Sequence, residues 1–289
     1  MFKGSIVALV TPFQGGKVDG EKLDELVEFH IAEGTSGIVP CGTTGESATL
    51  THAEHGEVIS RVVKAVNGRV PVIAGTGSNS TDEAVSLTRF AAEVGADAAL
   101  LITPYYNKPT QEGLYRHFRR IAEDVDIPQI PYNVPSRTGV NMLPETVIRL
   151  AELKNVVGIK EASGSVDQAV EILRGADIDV LSGDDSLTLA LMVVGATGVI
   201  SVAANLVPKH MADMTSAMLD GNMAEARRLH MHLYPLFDVL FVETNPIPVK
   251  TALALIEKIG PELREPMCEM APQNRAKLAA VLADLGIRG

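Results

Sequence analysis

The chain has 289 residues, 46% hydrophobic and 21% charged, which is enough for a large core and close to the size of one (β/α) barrel with an added piece. A formal charge of −11 excludes the basic surface that sequence-independent nucleic-acid binding or docking on an anionic membrane requires. Two cysteines, Cys41 and Cys268, give neither a disulfide framework nor zinc-ligand spacing, so reduced thiols in the cytoplasm and no metal centre are the expectation.

The amino-terminal apolar stretch is too short for the hydrophobic region of a secretory signal and runs into Thr11-Pro12 without a small-residue cleavage site. Short β-branched runs then alternate with longer amphipathic segments. The strand-like runs cover residues 5–10, 37–41, 70–74, 98–102, 129–133, 156–160, 180–182 and 198–202. Helical periods lie between them at 21–33, 53–66, 82–94, 112–122, 144–153 and 166–173. Pro144 suits a first helical turn, and Thr81 suits an N-cap. The longest uncharged run, 186–205, is broken by glycines and reads as a buried helix followed by a strand rather than a membrane span. Strands apolar almost throughout, separated by helices, indicate a parallel sheet covered on its outer face. Eight such units predict an α/β fold, a closed (β/α)8 TIM barrel. Beyond about residue 209 only helical periods remain, at 211–219, 223–241, 248–259 and 274–285. The expected organisation is a catalytic barrel over residues 1–224 and a small C-terminal helical extension over 225–289.

In a parallel barrel the active site lies at the carboxyl ends of the strands, so the residues there carry the chemistry. After strand two comes Gly42-Thr43-Thr44-Gly45-Glu46-Ser47. Its hydroxyls and free backbone N–H groups suit a small carboxylate nest, although alone such a run is more simply a glycine-rich turn. After strand four stand Tyr105 and Tyr106, two of only five tyrosines, each with a titratable hydroxyl; tyrosines in loops more often serve packing. After strand five, Tyr132-Asn133-Val134-Pro135-Ser136-Arg137-Thr138-Gly139 offers a phenol and an arginine able to grip a carboxylate with both nitrogens, or to form an ordinary surface ion pair. Pro131, inside that strand, removes a ladder donor and is expected to shift Tyr132 slightly. Ser182-Gly183-Asp184-Asp185 holds two carboxylates without companion ligands, better explained by a helix N-terminus than by a metal.

Lys160 ends the apolar run Val156-Val157-Gly158-Ile159-Lys160, where the chain gives way to a Ser/Gly loop. Desolvation there disfavours the ammonium, lowers the pKa and yields a nucleophilic amine that can condense with a ketone. The alternative is a lysine that snorkels from a strand end. An imine on Lys160 would let a 2-oxo acid lose a methyl proton and become an enamine, with the nest on its carboxylate, a tyrosine shuttling protons and Arg137 on an acidic electrophile. Such chemistry needs no cofactor beyond the covalent Schiff base on Lys160.

Three segments make the chain recognisable: Gly42-Thr43-Thr44-Gly45-Glu46, the run from Tyr132 to Gly139, and Gly158-Ile159-Lys160-Glu161-Ala162. The chain resembles the dihydrodipicolinate synthase family, within the pyruvate-dependent class I aldolases and lyases. The likeness covers nearly all of it, from the segment beginning at Gly4 to Asn245-Pro246-Ile247-Pro248-Val249-Lys250. The resemblance implies a lyase that condenses pyruvate with L-aspartate 4-semialdehyde to 4-hydroxy-tetrahydrodipicolinate in lysine and diaminopimelate biosynthesis. It implies that Lys160 forms the Schiff base and that Thr43 and Thr44 lie at the pyruvate carboxylate. It further implies that Tyr132, Thr43 and Tyr106 form a proton relay, with Tyr106 coming from a neighbouring subunit. Arg137 would receive the aldehyde's carboxylate, and Ile200 would present its backbone carbonyl near the lysine. A homo-oligomer, a dimer of dimers, is expected. By the same resemblance Ser47, Ala48, His52, His55, Asn79, Glu83 and Tyr105 would line a cleft for L-lysine as feedback inhibitor. The other functions weighed are an N-acetylneuraminate or sugar-acid lyase and a non-catalytic keto-acid-binding barrel; Arg137 and the double threonine favour the synthase over the first, and the full relay speaks against the second.

Overall fold

The computed structural model describes residues 2–288. Eight parallel strands form one sheet: β1 (Gly4–Ala8), β2 (Gly37–Val39), β3 (Ile73–Gly75), β4 (Ala98–Ile102), β5 (Gln129–Asn133), β6 (Gly158–Glu161), β7 (Asp179–Ser182) and β8 (Gly198–Ser201). Their order is β2-β1-β8-β7-β6-β5-β4-β3. The ring closes between β2 and β3 through the Ile38–Val72 bridge, where Ile38 N–H donates to Pro71 O at 3.0 Å and Gly75 N–H to Pro40 O at 2.9 Å. This is the predicted eightfold barrel. β3 starts three residues after the apolar run at 70–74 suggests, since Pro71 has no N–H to give the ladder. Pro131 does not interrupt β5: it pairs with Leu101, and the strand continues to Tyr132 and Asn133.

Side chains alternate across each strand and sort the core into two shells. Ile6, Val39, Ile73, Leu100, Ile130, Leu181 and Ile200 fill the barrel, with Phe2 beneath them. Val7, Ile38, Leu101, Ile159, Val180 and Val199 face outward, under the helices. Those helices are α1 (Gly20–Ala32), α2 (His52–Val66), α3 (Thr81–Glu93), α4 (Gln111–Asp124), the single turn α5 (Pro135–Thr138), α6 (Pro144–Ala151), α7 (Val166–Gly175), α8 (Thr188–Val193) and α9 (Pro208–Leu219). In α4, Leu114, His117, Phe118, Ile121 and Ala122 recur at the spacing of one helical face, and all are buried. Pro144 opens α6 as expected. The cap of α3 is Ser80, one residue before Thr81, because Ser80 has the extended backbone a cap needs and its hydroxyl accepts from Glu83 N–H.

Three further helices follow: α10 (Met223–Val239), α11 (Ile247–Leu255) and α12 (Pro272–Asp284). The boundary expected at 224/225 falls in the first turn of α10, which packs against α9, α8 and α12. This extension is tied to the barrel rim by polar contacts. Arg264 grips the Glu54 carboxylate with both terminal nitrogens, at 2.8 and 2.5 Å. Lys250 meets Glu46 at 2.5 Å with both side chains almost wholly buried.

Candidate active site

Lys160 and Tyr132 occupy register-matched positions on β6 and β5, so both point into the barrel near its carboxyl end. The Lys160 Nζ lies 4.1 Å from the centre of the Tyr132 ring. Lys160 is buried and makes no ion pair among the described residues. Burial pulls its pKa down to about 8; Asp184 and Asp185 oppose that shift and Arg137 adds to it. Burial likewise pushes the Tyr132 phenol up to about 12, against the pull of Arg137 and of the neighbouring Thr43 hydroxyl. Gly183 leaves room for the lysine: a Cβ there would stand 3.2 Å from Lys160 Cε and 2.6 Å from Ala162 Cβ.

The nest loop is bracketed by Cys41 and Glu46, both in the left-handed region at φ 55° and 52°. Non-glycine residues adopt that conformation only where surroundings enforce it. Here Gly45 N–H donates to Gly42 O, Glu46 N–H to Thr43 O, and the Thr11 hydroxyl to Gly45 O at 2.7 Å. Among the described residues the N–H groups of Thr43 and Thr44 have no acceptor. Two free amides and two hydroxyls next to a mostly cationic lysine suit a small carboxylate.

These groups line one cavity of about 700 Å³. Thr43, Thr44, Tyr132, Arg137, Lys160 and Asp184 provide its polar wall, and Val39, Leu100, Val134 and Val202 its apolar one. Arg137, on α5, donates from Nη2 to Asn245 O at 3.0 Å. Burial raises the pKa of Asp184, opposed by Lys160. Burial also raises that of Asp185, whose Oδ2 accepts from Val202 and Ala203 N–H. Among the described residues no three His, Cys, Asp or Glu side chains gather as a metal-binding group.

A second cavity of about 370 Å³ shares Gly42, Thr43, Leu100, Tyr132, Arg137 and Asn245 with the first. Ser47, Ala48, His52, His55, Glu83 and Tyr105 line it, six of the seven residues expected for a lysine cleft. Asn79 stands behind: its amide donates to Tyr105 O at 3.2 Å, and its own carbonyl accepts from Asn107. His52 Nε2 sits 2.6 Å from Glu83 Oε1, and Ser78 donates to the same carboxylate. The Ser78 bond, more than the His52 one, lowers the Glu83 pKa. His55 donates from Nε2 to Gly75 O at 2.7 Å.

Two expected residues lie apart from this gathering. Tyr106 is 90% exposed, at φ 72°, and lines neither cavity. Ile200 is buried in the barrel interior, in one cluster with Val39, Leu100 and Tyr132, and does not itself line the cavity. Sequence reasoning gave no role to Phe241, Val242, Glu243 and Asn245, which line the first cavity from the segment after α10. Asn245 Nδ2 donates to Thr44 Oγ1 at 3.0 Å across 201 positions of sequence. Nothing in local spacing signals such a contact; the one sign was that Asn245 opens the run Asn245–Lys250, at which the family likeness ends.

Known proteins share both the sequence and the fold of this chain. The model of the dihydrodipicolinate synthetase family matches residues 1–285. The 4-hydroxy-tetrahydrodipicolinate synthase of Geobacter sulfurreducens is 62% identical over 286 residues, covering 98% of this chain and 99% of that protein. The crystal structure of dihydrodipicolinate synthase from Aquifex aeolicus superposes with a TM-score of 0.98 at 52% identity, covering 99% of each chain. The chloride-inhibited Acinetobacter baumannii enzyme complexed with pyruvate gives 0.98 at 48% identity, over 99% of this chain and 100% of that one. The Cyanidioschyzon merolae enzyme with lysine bound gives 0.96 at 42%, over 99% of each. The chain belongs to the dihydrodipicolinate synthetase family.

Proposed function

We propose that this protein is a 4-hydroxy-tetrahydrodipicolinate synthase, joining pyruvate to L-aspartate 4-semialdehyde in lysine and diaminopimelate biosynthesis. The observation that carries the reading is Lys160, buried on a barrel strand with its pKa drawn to about 8, in the same cavity as the open amides of Thr43 and Thr44. The neutral amine adds to the ketone carbon of pyruvate and water leaves, giving an imine. The positive imine nitrogen draws electrons from the neighbouring methyl group, which releases a proton and becomes a carbon nucleophile. That carbon attacks the aldehyde. The aldehyde substrate's own amino group then closes on the former ketone carbon and frees Lys160. Tyr132, which shares the cavity wall with Thr43, is placed to pass protons, and Arg137 to hold the aldehyde's carboxylate with both nitrogens. The Schiff base on Lys160 takes the part of a cofactor.

The exposed Tyr106, held in a strained left-handed conformation outside either cavity, supports a homo-oligomer, a dimer of dimers, in which it completes a neighbour's relay. The second cavity supports feedback inhibition by L-lysine: Glu83 can pair an ammonium, and the shared wall of Thr43, Tyr132 and Arg137 lets occupancy reach the first cavity. No helix among the described residues is long and apolar enough to cross a membrane, in keeping with a place in the cytoplasm. An assay of pyruvate consumption with aspartate semialdehyde tests the reading. Turnover with that aldehyde well above turnover with sugar-derived aldehydes supports it, and the reverse preference overturns it.

A further inference from the structure

Thr44 Oγ1 is an acceptor in one hydrogen bond, from Asn245 Nδ2 at 3.0 Å, and among the described residues its own proton has no acceptor. A hydroxyl can donate one bond, and a donor on its oxygen leaves that proton free and makes it a stronger donor. Thr44 is 2% exposed and lines the larger cavity, as does Asn245, which is 4% exposed. The Asn245 Oδ1 is buried without a partner. Turned the other way, the amide would take the Thr44 proton and strand both of its own, and buried N–H groups tolerate that less well than carbonyl oxygens. The same residue's backbone carbonyl holds Arg137 at 3.0 Å.

We infer that Asn245 is a positioning residue that sets the polarity of the Thr44 hydroxyl, so that Thr44 meets the keto acid's carboxylate as a donor. The residue acts through Thr44 and touches no reacting atom. This inference rests on the reading of the cavity as a keto-acid site. Because the contact with Arg137 is made by backbone, changes to the Asn245 side chain affect the pyruvate end of the cavity and spare the aldehyde end.

Steady-state kinetics of Asn245→Ala and Asn245→Asp test it, with melting temperatures measured alongside. Loss of one such bond raises the pyruvate KM of Asn245→Ala about three- to tenfold, with the aldehyde KM unchanged. Asn245→Asp keeps the shape but can only accept, so it takes the Thr44 proton and raises the pyruvate KM further still. In a Thr44→Val background the Asn245→Ala change adds nothing more, since the bond it removes is already gone. A pyruvate KM within twofold of the parent for both variants overturns the inference, as does an Asn245→Ala effect that persists undiminished beside Thr44→Val. A fall in kcat and melting temperature with both KM values unmoved also overturns it, since that marks a purely structural residue. Failure of the parent enzyme to form a pyruvate adduct overturns the keto-acid reading instead, so the two failures are distinguishable.

Discussion

Lys160 Nζ stands 4.1 Å from the centre of the Tyr132 ring because the two residues are register partners on adjacent strands. Strand alternation points both inward at one height, and the barrel walls exclude the water that would stabilise an ammonium. The same burial that lowers the lysine raises the phenol, so at neutral pH a partly neutral amine faces a fully protonated hydroxyl. An amine and a proton donor are thereby offered to one carbonyl group.

The pH dependence of imine formation follows from those charges. With its pKa near 8, about a tenth of Lys160 is neutral at pH 7, against about 0.03% for an ordinary lysine. Adduct formation with pyruvate and cyanoborohydride should rise about tenfold per pH unit below 8 and level off above it. Asp184 raises the lysine pKa and Arg137 lowers it, so the midpoint should move down in Asp184→Asn and up in Arg137→Ala. Shifts of the same sign in both variants would contradict this assignment of charges.

The buried Glu46–Lys250 pair fixes the nest loop to α11, and Arg264 N–H donates to the second Glu46 oxygen at 3.1 Å. Removing one partner leaves the other charge buried and unpaired, which costs about 3–5 kcal/mol. Lys250→Met should therefore lose that much stability in urea unfolding. The double change Glu46→Gln with Lys250→Met should recover much of it, and a single variant as stable as the parent would refute the pairing argument.

Lysine inhibition is expected to depend on Glu83, which faces the second cavity beside His52. Glu83→Ala should leave uninhibited kcat within about twofold, while the lysine concentration for half inhibition rises at least about tenfold, as loss of a charge-assisted bond implies. A parent enzyme indifferent to millimolar lysine would remove this cavity from regulation.

Tyr106 is read as acting across a subunit boundary, which complementation can test. Tyr106→Phe and Lys160→Ala should each reduce turnover, the former by about 100-fold for a lost proton-transfer group. Mixed and reassembled, the two variants should form some sites with Lys160 from one subunit and Tyr106 from the other. Activity should then recover toward a quarter of the parent. Mixtures no more active than their components would place Tyr106 outside the relay.

The barrel was legible because nearly every strand is a short apolar run and nearly every helix shows a clean buried face, as α4 does with Leu114, Phe118 and Ile121. Lys160 was legible for a related reason: a lone charge at the end of such a run must sit at the barrel mouth. Element edges were less so. β3 slips because Pro71 breaks the ladder, and the α3 cap moves to Ser80 because neighbouring hydroxyls compete for the same role. Contacts between distant segments left no local trace. Asn245 with Thr44, Lys250 with Glu46 and Arg264 with Glu54 all join the C-terminal extension to the first third of the chain. No periodicity encodes such pairings; they appear only once the barrel brings the segments together.

The central claim is that Lys160 is the amine that captures pyruvate. The most direct measurement is reduction of the enzyme with borohydride in the presence of pyruvate, followed by intact mass and peptide mapping. One lactyl-sized mass increment per chain, located on the peptide containing Lys160 and absent from Lys160→Ala, is the predicted result. An adduct on another lysine, or an active enzyme with no adduct, would contradict the account.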